Sequence, residues 1–435
     1  MLQDNRELTG KRNNAKIVIG YDLGKMFSQV SYYAVGDTDP CTVSPVAGTE
    51  QYNIPTVLCK RVGVSQWYYG REALKNQGEE GILVDHLLEK ALQGEEVLVE
   101  DTTYDPVALL TLFIKRSLAT LNMQVSLNRA EVFMFTVEEL SPRMVEVLGK
   151  VVAGLQLKCP QICFQSHIES FYYYMLHQQA ELWKREVFVF EYNDCLRTLR
   201  FQCNRNTTPK VVFIEHLDYP DMKRVSFSQD ETERTIQQQE LDEQFGQLCE
   251  ECLRDADVST IFLIGEGFKE GWTRQSLKIL CRNRRVFQGN NLYSKGACYS
   301  GMEKLKPGEH TGEYVYLGED KLKSNIGMKA LRRGEDSYLA ILDAGVNWYE
   351  ARTDFDLILE SGNVLCFTIT PLTGANITEK TVTLDGLPER PRSTTRLRVH
   401  AEMTAVHTLT LEITDMGFGE LFKSSGRAWT HTLQV

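Results

Sequence analysis

Apolar residues recur at helical spacing from Val107 through Leu110, Phe113, Ile114 and Leu118 to Leu121, and Asp105-Pro106 opens that helix. Proline suits the first turn because the N–H it lacks would have no partner there. Ala130 to Val137 reads as a short strand. Ser141-Pro142 then starts a second helix, which passes Met144, Val145, Leu148 and Val151 and stops at Gly154. A short apolar segment from Cys159 to Gln165 and a helix from Glu169 to Trp183 follow. Helices and strands alternating in units this short predict parallel pairing with right-handed crossovers. Next come an apolar strand beginning at Val187, a strand pair of Leu196 to Cys203 with Lys210 to His216, and a polar helix from about Asp230 to Leu253. Beyond Met302 the period changes. Phe355 to Leu359, Val364 to Thr370, Lys380 to Leu384, Thr395 to Ala401 and Thr408 to Thr414 are short alternating strands, separated by turns rich in Gly, Asp and Pro. That is the pattern of an antiparallel sandwich. Lys306-Pro307-Gly308-Glu309-His310-Thr311-Gly312 marks the boundary between the two regimes.

At 435 residues the chain exceeds what one hydrophobic core organises, so two or three domains are expected. A net charge of −11 repels DNA, RNA and anionic lipid, and the basic runs Lys11-Arg12 and Arg282-Asn283-Arg284-Arg285 are short enough to be solvated faces. Nucleic acid is therefore not expected as a partner. No apolar run is long enough to cross a bilayer, and Met1 to Ala15 reads as a polar, mobile arm without the apolar core of a signal peptide. Eleven cysteines without a framework spacing suit a reducing cytoplasm. Cys249 and Cys252 sit in a Gln/Glu-rich helical stretch with no nearby His, which favours two cysteines on a helical face over a metal or redox pair; Cys159 and Cys163 read the same way.

The candidate chemistry lies near the N-terminus. Ile17-Val18-Ile19-Gly20-Tyr21-Asp22-Leu23-Gly24-Lys25-Met26-Phe27-Ser28-Gln29-Val30 reads as strand, Gly-flanked turn, strand. Glycines let backbone N–H groups approach an anion, and a carboxylate at Asp22 suits a metal ion or its waters. Alone, the segment also fits an ordinary hairpin with an incidental Asp. Its continuation adds Tyr52-Asn53-Ile54-Pro55-Thr56-Val57-Leu58, Tyr68-Tyr69-Gly70-Arg71-Glu72-Ala73-Leu74, Ile261-Phe262-Leu263-Ile264-Gly265-Glu266-Gly267-Phe268 and Asn290-Asn291-Leu292-Tyr293-Ser294-Lys295-Gly296-Ala297. In that order these motifs, over roughly residues 16–305, resemble the actin, sugar-kinase and DnaK-type heat-shock chaperone superfamily, most closely the chaperones. The resemblance implies an α/β actin-like ATPase fold, with lobe I at 16–185 and a reduced lobe II at 186–305. It also implies ATP or ADP with magnesium, contacted by Gly20, Asp22, Gly24, Lys25, Gly265 and Gly267, with Asp22 on the metal side. Glu169 matches the family's metal-side glutamate or else a surface helix-cap residue, and Lys25 either neutralises a phosphate or is solvated. Leu384-Asp385-Gly386-Leu387-Pro388-Glu389-Arg390-Pro391-Arg392, with Leu409 to Asp415, resembles the chaperones' substrate-binding β-sandwich, over about 340–430.

The departures decide the expected function. Where the family carries a glycine-rich second phosphate loop, this chain has Val187-Phe188-Val189-Phe190-Glu191-Tyr192-Asn193-Asp194-Cys195-Leu196. Asn193 and Asp194 permit a tight turn, but the row of bare amides is gone and two carboxylates have entered. Like charges ~4 Å apart cost on the order of several kcal/mol in such a cleft. Glu266 adds bulk and charge between Gly265 and Gly267, and Trp272 fits a buried core indole better than a purine platform. The stretch from Phe190 to Gly265 is too short for the subdomain that clamps adenine. Residues 306–339 read as linker and connecting segment without the family's apolar docking run, and the sandwich at 340–435 lacks a helical lid. The expectation is a degenerate chaperone-like protein that binds a protein or peptide through its sandwich, with weak nucleotide binding and negligible hydrolysis. An active chaperone-type ATPase and an actin-like scaffold are the alternatives.

Overall fold

The computed structural model describes residues 15–46, 48–289, 291–308, 312–332, 334–372 and 377–435. Apart from Ala15, the expected N-terminal arm lies outside them, as do Asn290 and part of the 306–312 boundary.

Ile17–Leu23 (β1) is buried along its whole length, which demands cover on both faces. Phe27–Ala34 (β2) returns antiparallel beside it after the turn at Gly24-Lys25-Met26. Pro106–Leu118 (α1) leads to Ala130–Val137 (β3), which lies parallel to β1 on its other edge. Pro142–Leu155 (α2) crosses to Gln161–Ser166 (β4), parallel to β3, and His167–Leu176 (α3) leaves β4. Cys41–Thr42 pairs antiparallel with the outer side of β2. The helix starts follow from the sequence: Asp105 accepts from the amides of Val107 and Ala108, and Ser141 from that of Met144. Helix α1 buries Leu110, Phe113 and Ile114, each worth about 2 kcal/mol on leaving water.

A second sheet repeats the plan. Glu186–Tyr192 (β5) pairs antiparallel with Cys195–Asn204 (β6), which pairs antiparallel with Lys210–Lys223 (β7). Glu231–Leu253 (α4) leads to Val258–Ile264 (β8), parallel to β5. Gln275–Leu280 (α5) crosses to Arg285–Gln288 (β9), parallel to β8, and Leu292–Leu305 (α6) follows. Each sheet therefore has a central strand, an antiparallel hairpin and third strand on one side, and two parallel strands on the other.

The final helix of each repeat ties the sheets together. Helix α6 lies on β1 so closely that a Cβ on Gly20 would stand 2.2 Å from the Ser294 carbonyl oxygen. Phe171, Tyr172, Met175 and Leu176 of α3 share a core with Val187, Val189, Leu199 and Phe201 of the second sheet. The two helices meet at Gly296, where a Cβ would fall 2.0 Å from the Ser170 carbonyl oxygen. Only glycine admits that approach.

The chain divides after Tyr316 into two units. The stretch 306–339, expected as a linker, is instead shared between them: Tyr314–Tyr316 (β10) pairs with β7, while Ser324–Arg332 (β11) and Glu335–Leu342 (β12) form a hairpin of the second unit. Strand β10 has only three residues and β11 and β12 bury few side chains, so their alternation is faint beside the Pro307-Gly308 turn signal. The second unit continues with Arg352–Leu359 (β13), Val364–Pro371 (β14), Thr378–Thr383 (β15), Thr395–Ala405 (β16), Thr408–Gly417 (β17) and Ala428–Gln434 (β18). They form two four-stranded sheets, β12-β11-β14-β15 and β13-β16-β17-β18, with antiparallel pairing throughout. Each sheet buries one side: Leu397, Val399, Ala401 and Met403 of β16 alternate with more exposed polar residues. Arg390, from the Leu-Pro-x-x-Pro-Arg motif, makes a two-pronged ion pair with the fully buried Asp415, both contacts at 2.8 Å. The motif's cation thus pins its loop to the end of β17.

Candidate functional site

In open α/β sheets ligands collect beyond the carboxyl ends of the parallel strands, where loops diverge and leave a crevice. Here those ends supply Asp22 from β1, Glu138 after β3, His167 after β4, Glu191 from β5 and Gly265 after β8, all lining one cavity of about 400 Å³. Leu88, Leu92 and Met144 form an apolar wall, and Lys25 and Arg197 are its cations.

The two cations of this cavity are already paired. Glu138 lies 2.8 Å from the Lys25 ammonium and 2.5 Å from the Arg197 guanidinium. Burial opposes ionisation of Glu138, yet the two cations outweigh it and hold the carboxyl down at about 2. Lys25 is correspondingly raised, first by its hydrogen bond to Glu138. Arg197 also donates to Asp218 at 2.6 Å. Both cations that might have met an anion are spent on one carboxylate and its neighbour.

The duplication places a second set of partners on the cavity floor. Asp22 and Glu191 sit at equivalent registers, one pair in from the hairpin turn of their lobes, opposite Gln29 and Arg197 respectively. Each meets a ring from the first turn of its own lobe's final helix. His167 Nε2 lies 2.8 Å from Asp22 Oδ1, and the Tyr293 hydroxyl donates to Glu191 Oε2 at 2.7 Å. The two rings stack on each other, with centroids 3.9 Å apart and planes inclined by 7°. Burial alone depresses a histidine, but the Asp22 carboxylate more than compensates and the His167 pKa is raised. Burial raises Glu191, and burial with the adjacent Glu191 charge raises Tyr293 well above a free phenol. Asn193 donates to Glu191 Oε1 at 2.9 Å, and its own carbonyl accepts from the Glu266 amide at 3.2 Å. Among the described residues the buried His167 Nδ1 has no hydrogen-bond partner.

Asp22, Gly24, Lys25 and Gly265 line the cavity; Gly20, Gly267 and Glu169 do not. Gly20 is covered by α6. Gly267 packs on the Tyr192 ring, where a Cβ would stand 2.4 Å away, and Gly265, at φ +102°, passes the Tyr192 backbone equally closely. These glycines serve close packing, a need that the Gly spacing alone does not distinguish from phosphate contact. Glu169 is buried in the first turn of α3, its amide bound by Ser166. Glu266 is held by Asn53, itself held by Gln29, and by Lys269. Trp272 is a core indole, 1% exposed, donating to the Gly267 carbonyl. Among the described residues no three His, Cys, Asp or Glu side chains gather as a metal site. Sequence reasoning passed over Glu138, Arg197, the His167 ring and Tyr293. The available signal was the repeat itself, because His167 and Tyr293 occupy corresponding helix starts.

Fold and cleft define a mixed α/β protein with two similarly built sheets facing a crevice whose cations are already paired, followed by an antiparallel β unit. Residues 39–319 match a family described as "Family of unknown function (DUF5716) C-terminal", and the chain belongs to that family. Residues 321–435 match a "Domain of unknown function (DUF8552)". The boundary between the matches falls beside the structural division after Tyr316. No curated protein matches the chain.

Proposed function

We propose that this chain is an actin-like, DnaK-type chaperone-related body that has given up phosphoryl transfer and acts as a binding protein for a polypeptide partner. The repeated sheet plan, with crossed final helices around a cleft, supports the actin-like reading. One observation carries the loss of chemistry: Glu138 occupies both cleft cations. Phosphoryl transfer draws nearly all its acceleration from positioned donors and cations around the transferring group. Here Lys25 and Arg197 must first break paired contacts, while Glu191 and Asp194 add negative charge to the lining. Asp22, the residue for a magnesium ion, already serves His167. These residues fit a triphosphate poorly.

The binding role is assigned to the second unit. Its strand β18 closes one sheet with alternate residues exposed, an edge of the kind to which an extended segment adds as a further strand. Eleven cysteines, all free, suit a reducing compartment such as the cytoplasm. The test is a calorimetric titration of the purified chain with ATP and ADP, with and without magnesium, alongside a phosphate-release assay. Weak or undetectable binding and negligible release are expected. Robust release that Asp22→Ala abolishes overturns the proposal in favour of an active ATPase.

A further inference from the structure

We propose that the two lobes of the first unit are held in register by a pair of histidine–tyrosine rivets between α3 and α6, so that an internal latch closes the cleft without a ligand. The first rivet is the His167–Tyr293 stack on the cleft floor. The second lies where α3 ends: His177 stacks on Tyr299 at 4.3 Å and 10°. Between them the helices touch at Gly296 and Ser170.

Each rivet is anchored on both sides. His167 holds Asp22 of β1, and Tyr293 holds Glu191 of β5, so the first stack links carboxylates from the central strands of both sheets. His177 donates from Nδ1 to the Tyr173 carbonyl at 3.0 Å and faces Glu303 of α6 at 3.2 Å, while the Tyr299 hydroxyl donates to Asp39 at 2.8 Å. A third connection crosses the cleft above the floor, from Asn53 of the first lobe to Glu266 of the second. To open, the lobes must separate both ring stacks and break the Tyr299–Asp39, His177–Glu303 and Asn53–Glu266 contacts, while Asp22 and Glu191 keep the partners of their own lobes. The latch rests on the reading of a cleft that works without nucleotide, but its test uses none, so the two fail separately.

The test is amide hydrogen exchange on the full chain, comparing the parent with Tyr293→Leu and with His177→Leu. Either change is expected to speed exchange about tenfold at the two cleft hairpins, residues 22–28 and 191–196, in line with local opening. Exchange in residues 317–435 stays as in the parent. The His177 variant lies outside the cleft and supplies the answer if Tyr293→Leu does not fold. Hairpin exchange within twofold of the parent in a folded variant overturns the latch. An equal rise through every strand of both sheets also overturns it, because that marks lost global stability.

Discussion

Replacing Glu138 with Gln removes one negative charge from between Lys25 and Arg197 while keeping the side-chain volume. At the 2.8 Å and 2.5 Å separations, each pair attracts by roughly 6 kcal/mol gross at an effective dielectric near 20. Desolvation of three charged groups offsets most of that. Titration gives the better measure: a carboxyl ordinarily near 4.5 sits at about 2, which full linkage converts to ~3 kcal/mol. Because 35% of the side chain is exposed, screening reduces this to ~1 kcal/mol. The sign follows from a depressed carboxyl: its contribution is complete above 4.5 and fades as the pH falls towards 2. Glu191, which burial raises, contributes with the opposite sign and also feels the Glu138 charge, so parent and variant are compared at each pH. Urea unfolding measured from about pH 7 down to about pH 3 is expected to give Glu138→Gln a deficit of ~1 kcal/mol at neutral pH that shrinks steadily below 4.5. No deficit, or one that stays constant across the range, refutes the role given to Glu138.

Two further substitutions test the framework. Asp415→Asn leaves Arg390 buried beside a neutral partner and should cost the second unit about 3–5 kcal/mol, read as an earlier thermal transition; an unchanged transition removes Arg390–Asp415 as the anchor of its loop. Gly20→Ala drives a methyl into the Ser294 carbonyl 2.2 Å away and should destabilise by about 1–3 kcal/mol in chemical denaturation. A neutral result there returns Gly20 to the role of a spare, anion-facing glycine.

Local chemistry made much of the architecture legible. Asp105-Pro106 and Ser141-Pro142 start helices because their side chains cap orphan amides, and they do so wherever the rest of the chain goes. Alternation marked β16 and β17, whose inward residues are apolar along most of their length. It failed at β10 to β12, where the burial depends on neighbours supplied by distant chain. The cleft was legible in part. Asp22, Gly24, Lys25 and Gly265 line it because turns at strand ends carry such residues. Gly20 and Gly267 pack closely and lie off the cavity lining, and a glycine that admits a helix or a ring has the same spelling as one that admits a phosphate.

By itself the sequence determined the alternation of helices and strands, the change to an antiparallel unit, the net negative charge and the absence of glycine from 191–196, since each is read directly from the residues. Tertiary structure alone decided that Glu138 would meet Lys25 and Arg197, and that His167 would stack on Tyr293, 126 positions further along the chain. Such pairings rest on Coulomb and contact forces that act over a few ångströms of space, and no local pattern records which distant residues folding will bring within that range.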